Sequence, residues 1–208
     1  MRLEVWLAFV AASSVLLVIP GPTILTVISY STAHGRRALV PLVAGVALGD
    51  SSALAISLLG LGALLARAAV LFTAVKVLGG LYLLYLGLTL LRTRVPRQER
   101  SPPPAPRSAR RLFANTWLVT ALNPKGIVFF VAFLPQFIDP HLAIAPQVWL
   151  LALTFVALAI VNAALYAFFG ASVRGALDSA RAQRAFSVLG GSLLCGAGVW
   201  ALLARRPA

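Results

Sequence analysis

The chain has 208 residues, of which 60% are hydrophobic and only 11% are charged, and its formal net charge is +13. This apolar content exceeds that of a soluble domain, and several apolar runs reach the ~18–20 residues that a membrane-spanning helix needs. The period-two alternation of a membrane β-barrel is absent. Nucleic-acid binding is not predicted, because the arginines lie between or at the ends of the apolar runs without interleaved aromatic residues.

These runs predict an all-α, polytopic membrane protein with six transmembrane helices in a single domain, residues 1–208. The predicted spans are approximately 3–30, 38–66, 68–91, 112–137, 146–173 and 185–204. The first run is too long for the apolar region of a signal peptide and contains two prolines, so it is interpreted as a retained span. Some runs are longer than a straight span requires, which predicts tilted or broken helices.

The arginines set the predicted orientation. Twelve of the sixteen lie in the first, third and fifth loops, which the positive-inside rule places in the cytoplasm, so both termini face outward. Arg205 and Arg206 disagree with this, and a five-span arrangement stays open. The third loop, 92–111, is basic and rich in proline and is interpreted as a stiff linker and topology anchor, with binding of anionic lipid head groups as the alternative.

This linker separates two candidate three-helix repeats, 1–91 and 112–208. The tetrapeptide VLGG occurs in the third and sixth spans, prolines interrupt the first and fourth, and Asp50 of the second span corresponds to Asn162 of the fifth. With three spans per half, the two halves insert in opposite orientations, which is typical of transporters built from inverted repeats. Chance similarity between glycine-rich apolar segments is the alternative.

The prolines predict breaks in the first and fourth helices, at Pro20, Gly21 and Pro22 and at Asn123 and Pro124. Proline lacks a backbone donor and displaces the carbonyl one turn earlier, and lipid cannot satisfy the freed groups. Simple kinks are one interpretation. Two breaks in corresponding spans favour a binding site, since freed carbonyls suit an ammonium group and the N–H groups of each new half-helix suit a carboxylate. A zwitterionic amino acid carries both.

Polar side chains accompany the breaks. Thr23 and Asn123 offer hydrogen bonds at the same depth. Asp50 lies ~12 residues, or about 18 Å, into the second span, where a carboxylate is predicted to titrate or to bind a cation. The alternative is a structural role, in which a helix terminus or a lysine holds the Asp50 carboxylate in place. Lys125 follows the second break and is predicted to pair with Asp50 or with a substrate carboxylate.

Three other residues have structural explanations. Gly45 and Gly49 form a small-xxx-small step, which predicts close helix packing. Cys195 is the single cysteine, so a disulfide within the chain is impossible, and it is interpreted as a small core residue.

Seven short motifs follow one another along the whole chain. They are PGP at 20–22, HGRR at 34–37, GVALGD at 45–50, GGLYLLYLG at 79–87, LNPKG at 122–126, FF at 129–130 and LPQF at 134–137. At these residues the chain resembles the LysE/RhtB family of amino-acid exporters. The resemblance implies a carrier of the bacterial inner membrane that exports amino acids or close derivatives, driven by the proton gradient, with the outward-facing termini in the periplasm.

Two departures from that family bear on the substrate. Thr23 follows the first break where many members are expected to have Asn or Asp, and Asn162 stands where an acidic residue often appears. Both changes reduce the fixed negative charge near the predicted site. They weaken the case for a cationic substrate such as lysine and favour neutral amino acids.

The leading prediction is a secondary active exporter of small neutral amino acids, with proton antiport through Asp50. The candidate substrate-binding residues are Pro20, Gly21, Pro22, Thr23, Asn123, Pro124, Lys125 and Asn162. The partners are the amino acid, protons and lipid, and a homo-oligomer is left open. No cofactor or metal site is predicted.

Three other classes of function are the alternatives to amino-acid export. Metal-cation efflux is the alternative transport function, although the spans lack a His, Cys and acid cluster, since His34 and His141 lie in loops. An intramembrane enzyme is not predicted, because no span contains a histidine and paired cysteines are absent. A purely structural scaffold stays open.

Overall fold

A computed structural model describes residues 1–65, 108–139, 141–170 and 180–203, together with single positions between 77 and 92. All regular structure in these residues is helical, with no strand. Most of the predicted third span, the core of the proline-rich linker and its lipid contacts lie outside the described residues. Six spans and inverted repeats therefore stay predictions.

Seven α-helices are described. They are α1 (Leu3–Val18), α2 (Pro22–His34), α3 (Leu39–Leu65), α4 (Ala109–Ala121), α5 (Pro124–Val128), α6 (Ile144–Phe168) and α7 (Ala180–Leu203). A 3₁₀ turn, Gly35–Ala38, joins α2 to α3, while α5 continues through a π-helical turn, Phe129–Phe133, and a 3₁₀ turn, Leu134–Phe137.

In the described part of the chain, two helical stretches are long and apolar enough to cross a membrane, Pro22–Leu59 and Ile144–Phe168. A third results if Ala109–Ala121 and Pro124–Phe137, bent by 42° at their break, count as one span. Large apolar side chains also cover the outside of the helices: Val40 and Leu59 are 74% and 77% exposed. A helix that is apolar on every side is typical of burial in lipid.

The breaks follow directly from the prolines. Ile19, Gly21 and Asn123 each precede a proline, and each has an extended backbone, with ψ of 116°, −170° and 111°. The proline ring disfavours helical geometry in the residue before it, so α1 and α4 must end there. The next helices then begin on Pro22 and Pro124, where the missing N–H costs no hydrogen bond.

The described core is centred on α3, which packs against α4 and α6. A Cβ added to Gly45 would lie 2.9 Å from the Thr116 Cβ, and one added to Gly49 would lie 2.5 Å from the Thr120 Cβ. The prediction of close packing at these glycines is confirmed, and it holds α3 near the break between α4 and α5. Beside this contact, the ring of Phe155 packs edge-on against Phe130, with centroids 4.7 Å apart.

Candidate functional site

A cavity lies where the two breaks meet. The space between its lining residues, counted together with the open space at its mouth, is about 430 Å³. The lining residues come from the end of α1, both breaks, and α2, α3, α5 and α6: Leu16, Leu17, Ile19, Gly21, Thr23, Ile24, Val46, Asp50, Asn123, Lys125, Gly126, Phe155, Ala159 and Asn162.

Two side chains of the second break bind the first. The amide nitrogen of Asn123 donates to the Thr23 hydroxyl over 3.1 Å. The Lys125 ammonium donates to two carbonyl oxygens at the end of α1, those of Leu16 and, at 2.8 Å, Ile19. The two interruptions are thus in direct contact, although more than 100 residues separate them in sequence.

Two side chains of α6 complete the closure of α1. The Asn162 side-chain amide donates to the carbonyl oxygen of Leu17 at 3.0 Å. The Tyr166 hydroxyl, one helical turn further along α6, donates to the carbonyl oxygen of Val18 at 2.7 Å. A helix end normally leaves its last four carbonyls without intrahelical partners. Here, side chains from elsewhere in the chain supply hydrogen-bond donors to these carbonyls.

This arrangement corrects one expectation from the sequence. The carbonyls freed by the first break were predicted to receive the ammonium group of a substrate. They receive the ammonium of Lys125 instead, together with the side chains of Asn162 and Tyr166. Lipid cannot satisfy a carbonyl, so the chain supplies its own donors.

The start of α2 remains open. Its N-cap, Gly21, has no side chain to accept a hydrogen bond, and only the Leu25 N–H, at 2.9 Å, bonds to the Gly21 carbonyl. Within the described part of the chain, the N–H groups of Thr23 and Ile24 have no hydrogen-bond partner. Both residues line the cavity, where the positive end of the α2 dipole favours an anion.

The start of α5 is closed. The Asn123 side-chain oxygen accepts from the Lys125 backbone N–H at 3.1 Å, and the Asn123 carbonyl accepts from Gly126 and Ile127. Asparagine is a preferred N-cap because its short side chain reaches these donors. The two breaks therefore differ: the N–H groups of α2 are free for a ligand, and those of α5 are not.

Asp50 presents its carboxylate to the cavity. The residue is only 7% exposed, and its carboxylate forms neither a hydrogen bond nor an ion pair within 4 Å with any described residue. The direct pairing with Lys125 that the sequence allowed is not formed, because that ammonium is bound to α1. A buried carboxylate without a partner is costly in free energy unless it binds a proton or a cation.

An apolar wall faces these polar groups. Ile24, Val46, Phe155 and Ala159 contribute to the cavity lining. The ring of Phe155 is held by its edge-on contact with Phe130. An apolar surface next to a few placed polar groups is typical of sites that bind small molecules.

The predicted residues fall into two groups. Gly21, Thr23, Asp50, Asn123, Lys125 and Asn162 line the cavity. Pro20, Pro22 and Pro124 lie outside the lining and shape the site by separating one helix from the next. Sequence reasoning missed Tyr166 and the apolar wall. Tyr166 follows Asn162 by four residues and so lies on the same helix face. This spacing is visible in the sequence and could have identified Tyr166 as a candidate site residue.

Comparison with known proteins finds a family of translocators and relatives named as membrane or efflux proteins. Residues 14–205 match the family model described as LysE type translocator. An uncharacterized membrane protein of Vibrio cholerae is 31% identical over 96% of this chain and 97% of its own length. The homoserine/homoserine lactone efflux protein of Salmonella typhimurium is 30% identical, over 99% of this chain and all of its own. The leucine efflux protein of Salmonella choleraesuis is 32% identical, over 69% and 68%. No solved structure matches the chain significantly.

Proposed function

Because this membrane protein belongs to the LysE family of translocators, we propose that it is a secondary exporter of small neutral amino acids, driven by inward proton movement. The relatives named for leucine efflux and for homoserine and homoserine lactone efflux, at about 30% identity, support amino-acid export. Leucine and homoserine carry no net charge at neutral pH. This agrees with Thr23, which stands where Asn or Asp was expected, and with Asn162, which stands where an acidic residue was expected.

The cavity at the two breaks is the observation that carries this proposal. Its free N–H groups on Thr23 and Ile24 provide a seat for the carboxylate that all amino acids share. The side chain of the substrate lies against Phe155 and Ala159. The polar part of the proposed site is formed by Gly21, Asn123, Lys125 and Asn162. The three prolines maintain the break between α1 and α2 and the break between α4 and α5.

Asp50 is the proposed proton carrier. It is the one acidic side chain among the lining residues that the structure describes, and it is buried without a hydrogen bond or an ion pair within 4 Å. Such a carboxylate changes its charge state when it is exposed to different proton concentrations on the two sides of a membrane. Inward proton movement through Asp50 supplies the driving force for export.

The proposed mechanism is alternating access, in which the half 1–91 rocks against the half 112–208 around the fixed cavity. The chain lies in the bacterial inner membrane with both termini in the periplasm, as the arginine distribution favours. With Cys195 replaced by alanine, a cysteine at His141 should react with an impermeant maleimide in intact cells. A cysteine at Arg36 should react only after the cells are opened, and the reverse pattern would contradict this orientation.

Counterflow in proteoliposomes tests the transport function. Vesicles loaded with one unlabelled amino acid should accumulate the same labelled amino acid transiently, without any proton gradient. The panel should include leucine, homoserine, threonine and lysine, and the expected order has the neutral amino acids ahead of lysine. Absence of counterflow for every amino acid would refute the proposed function.

Asp50→Asn tests the coupling. The variant should lose uphill export driven by a proton gradient while its thermal unfolding in detergent stays close to that of the wild type. Glu4→Gln is the control, because Glu4 is an acid with an 83% exposed side chain and is not among the cavity-lining residues. Undiminished proton-driven export by Asp50→Asn would remove Asp50 from the mechanism.

A further inference from the structure

The first step concerns where the ammonium of a substrate can bind. The exposed peptide oxygens at the end of α1 are the usual acceptors for a cation at a broken helix. Here those of Leu16 and Ile19 accept from Lys125, and those of Leu17 and Val18 accept from α6. The chain's own lysine occupies the position that an incoming ammonium would take.

The second step identifies the acceptor that is left. The Asp50 carboxylate lines the same cavity, is buried and has no hydrogen-bond or ion-pair partner among the described residues. The α5 backbone lies beside it at Gly126, where an added Cβ would be 3.9 Å from one Asp50 oxygen. This glycine leaves space next to the carboxylate, since any larger side chain would fill it.

The third step places the rest of the substrate. The free N–H groups of Thr23 and Ile24 belong to the same cavity lining as Asp50. A zwitterion with its carboxylate on these N–H groups has its ammonium in the same cavity as Asp50, which is the one acidic side chain of the described lining. Apart from Asp50, the only titratable side chain in the described lining is Lys125 on α5; α2 and α6 contribute none, and α4 contributes no lining residue.

We infer that Asp50 binds the ammonium of the transported amino acid, so that substrate and proton compete for the same carboxylate. This inference depends on the proposed export function. When a substrate binds to protonated Asp50, the O–H bond breaks, the proton leaves to water, and the ionised carboxylate pairs with the substrate ammonium. The reverse exchange on the outer side releases the substrate. One proton enters for each zwitterion exported, and one positive charge moves inward per cycle.

Proton release measures this competition directly. Purified wild-type protein in weakly buffered detergent solution, with a pH-indicator dye, is mixed with L-leucine and with L-homoserine. At acidic pH, where Asp50 carries its proton, binding should release up to one proton per protein. Within this acidic range, the apparent affinity for the amino acid should fall about tenfold for each unit by which the pH is lowered. Mass action requires this when a proton and a substrate compete for one carboxylate. Leucine binding without proton release, and with an affinity that does not change with pH, would overturn the inference.

Substrate analogues separate the two ends of the zwitterion. Leucinamide keeps the ammonium and lacks the carboxylate, so it should bind more weakly than leucine but still release a proton. The hydroxy acid 2-hydroxy-4-methylpentanoate keeps the carboxylate and lacks the ammonium, so it should release none. Equal proton release by both analogues would contradict the proposal that Asp50 binds the substrate ammonium.

Variants complete the test. Asp50→Asn should release no proton on leucine addition, whereas Asp50→Glu keeps a carboxylate and should restore release in a shifted pH range. Glu4→Gln should behave like the wild type. If counterflow occurs but leucine still displaces a proton from Asp50→Asn, only the inference fails. If no amino acid shows counterflow or binding, the proposed function fails with it.

Discussion

Replacing Lys125 by methionine tests the contact between the two breaks. The change keeps an unbranched side chain that is one atom shorter, and it removes the ammonium that donates to the carbonyls of Leu16 and Ile19. Both oxygens then lose their donor in a site that lipid cannot reach with hydrogen bonds. The fold should be destabilised, because α1 would no longer be fixed to α5.

The magnitude follows from the bonds lost. Two hydrogen bonds from a charged donor contribute about 3–6 kcal/mol together. Removing the buried ammonium also removes its desolvation cost, which offsets part of that loss. A net destabilisation of about 2–3 kcal/mol lowers the midpoint of thermal unfolding by about 4–12 °C in a chain of this size. Tyr166→Phe removes a single neutral bond to Val18 and should lower it less.

Thermal unfolding in detergent gives the comparison, and a chemical rescue makes it specific. Lys125→Ala leaves an empty space in front of two carbonyl acceptors, so added ethylammonium should raise the unfolding midpoint of this variant. The increase should be several times larger than the increase that ethylammonium causes in the wild type or in Tyr166→Phe. Unfolding of Lys125→Met at the wild-type temperature would refute the argument. So would the failure of ethylammonium to stabilise Lys125→Ala.

Two further predictions concern packing and capping. Gly49→Ala places a Cβ 2.5 Å from the Thr120 Cβ, so we expect about 1–3 kcal/mol of destabilisation from overpacking. Gly196→Ala, with nothing within 4 Å of its new Cβ, should be neutral or slightly stabilising; equal thermal shifts would contradict the packing argument. Asn123→Ala removes the α5 cap and the bond to Thr23 and should cost about 1–2 kcal/mol, measured by thermal unfolding. Thr23→Val loses only the second of these and should unfold at a higher temperature than Asn123→Ala.

Much of the candidate site could be predicted because its residues are chemically unusual for their surroundings. Asp50, Lys125 and Asn162 are polar groups inside apolar runs, and all three line the cavity. Phe155 and Ala159 could not be predicted in the same way. In a helix that is apolar on all sides, the sequence does not distinguish a cavity-lining residue from one that faces lipid.

The sequence by itself determined where the helices break. Proline lacks an N–H and restricts the residue before it, and both effects are covalent properties of the local chain. Only the tertiary structure decided how the freed groups are satisfied. The donors to the end of α1, on Lys125 and Asn162, come from more than 100 residues away, and no local pattern encodes that pairing. Because those donors close the carbonyl side and leave the α2 N–H groups and Asp50 open, the packing of the helices assigned the polar groups of the cavity to the chain or to a ligand.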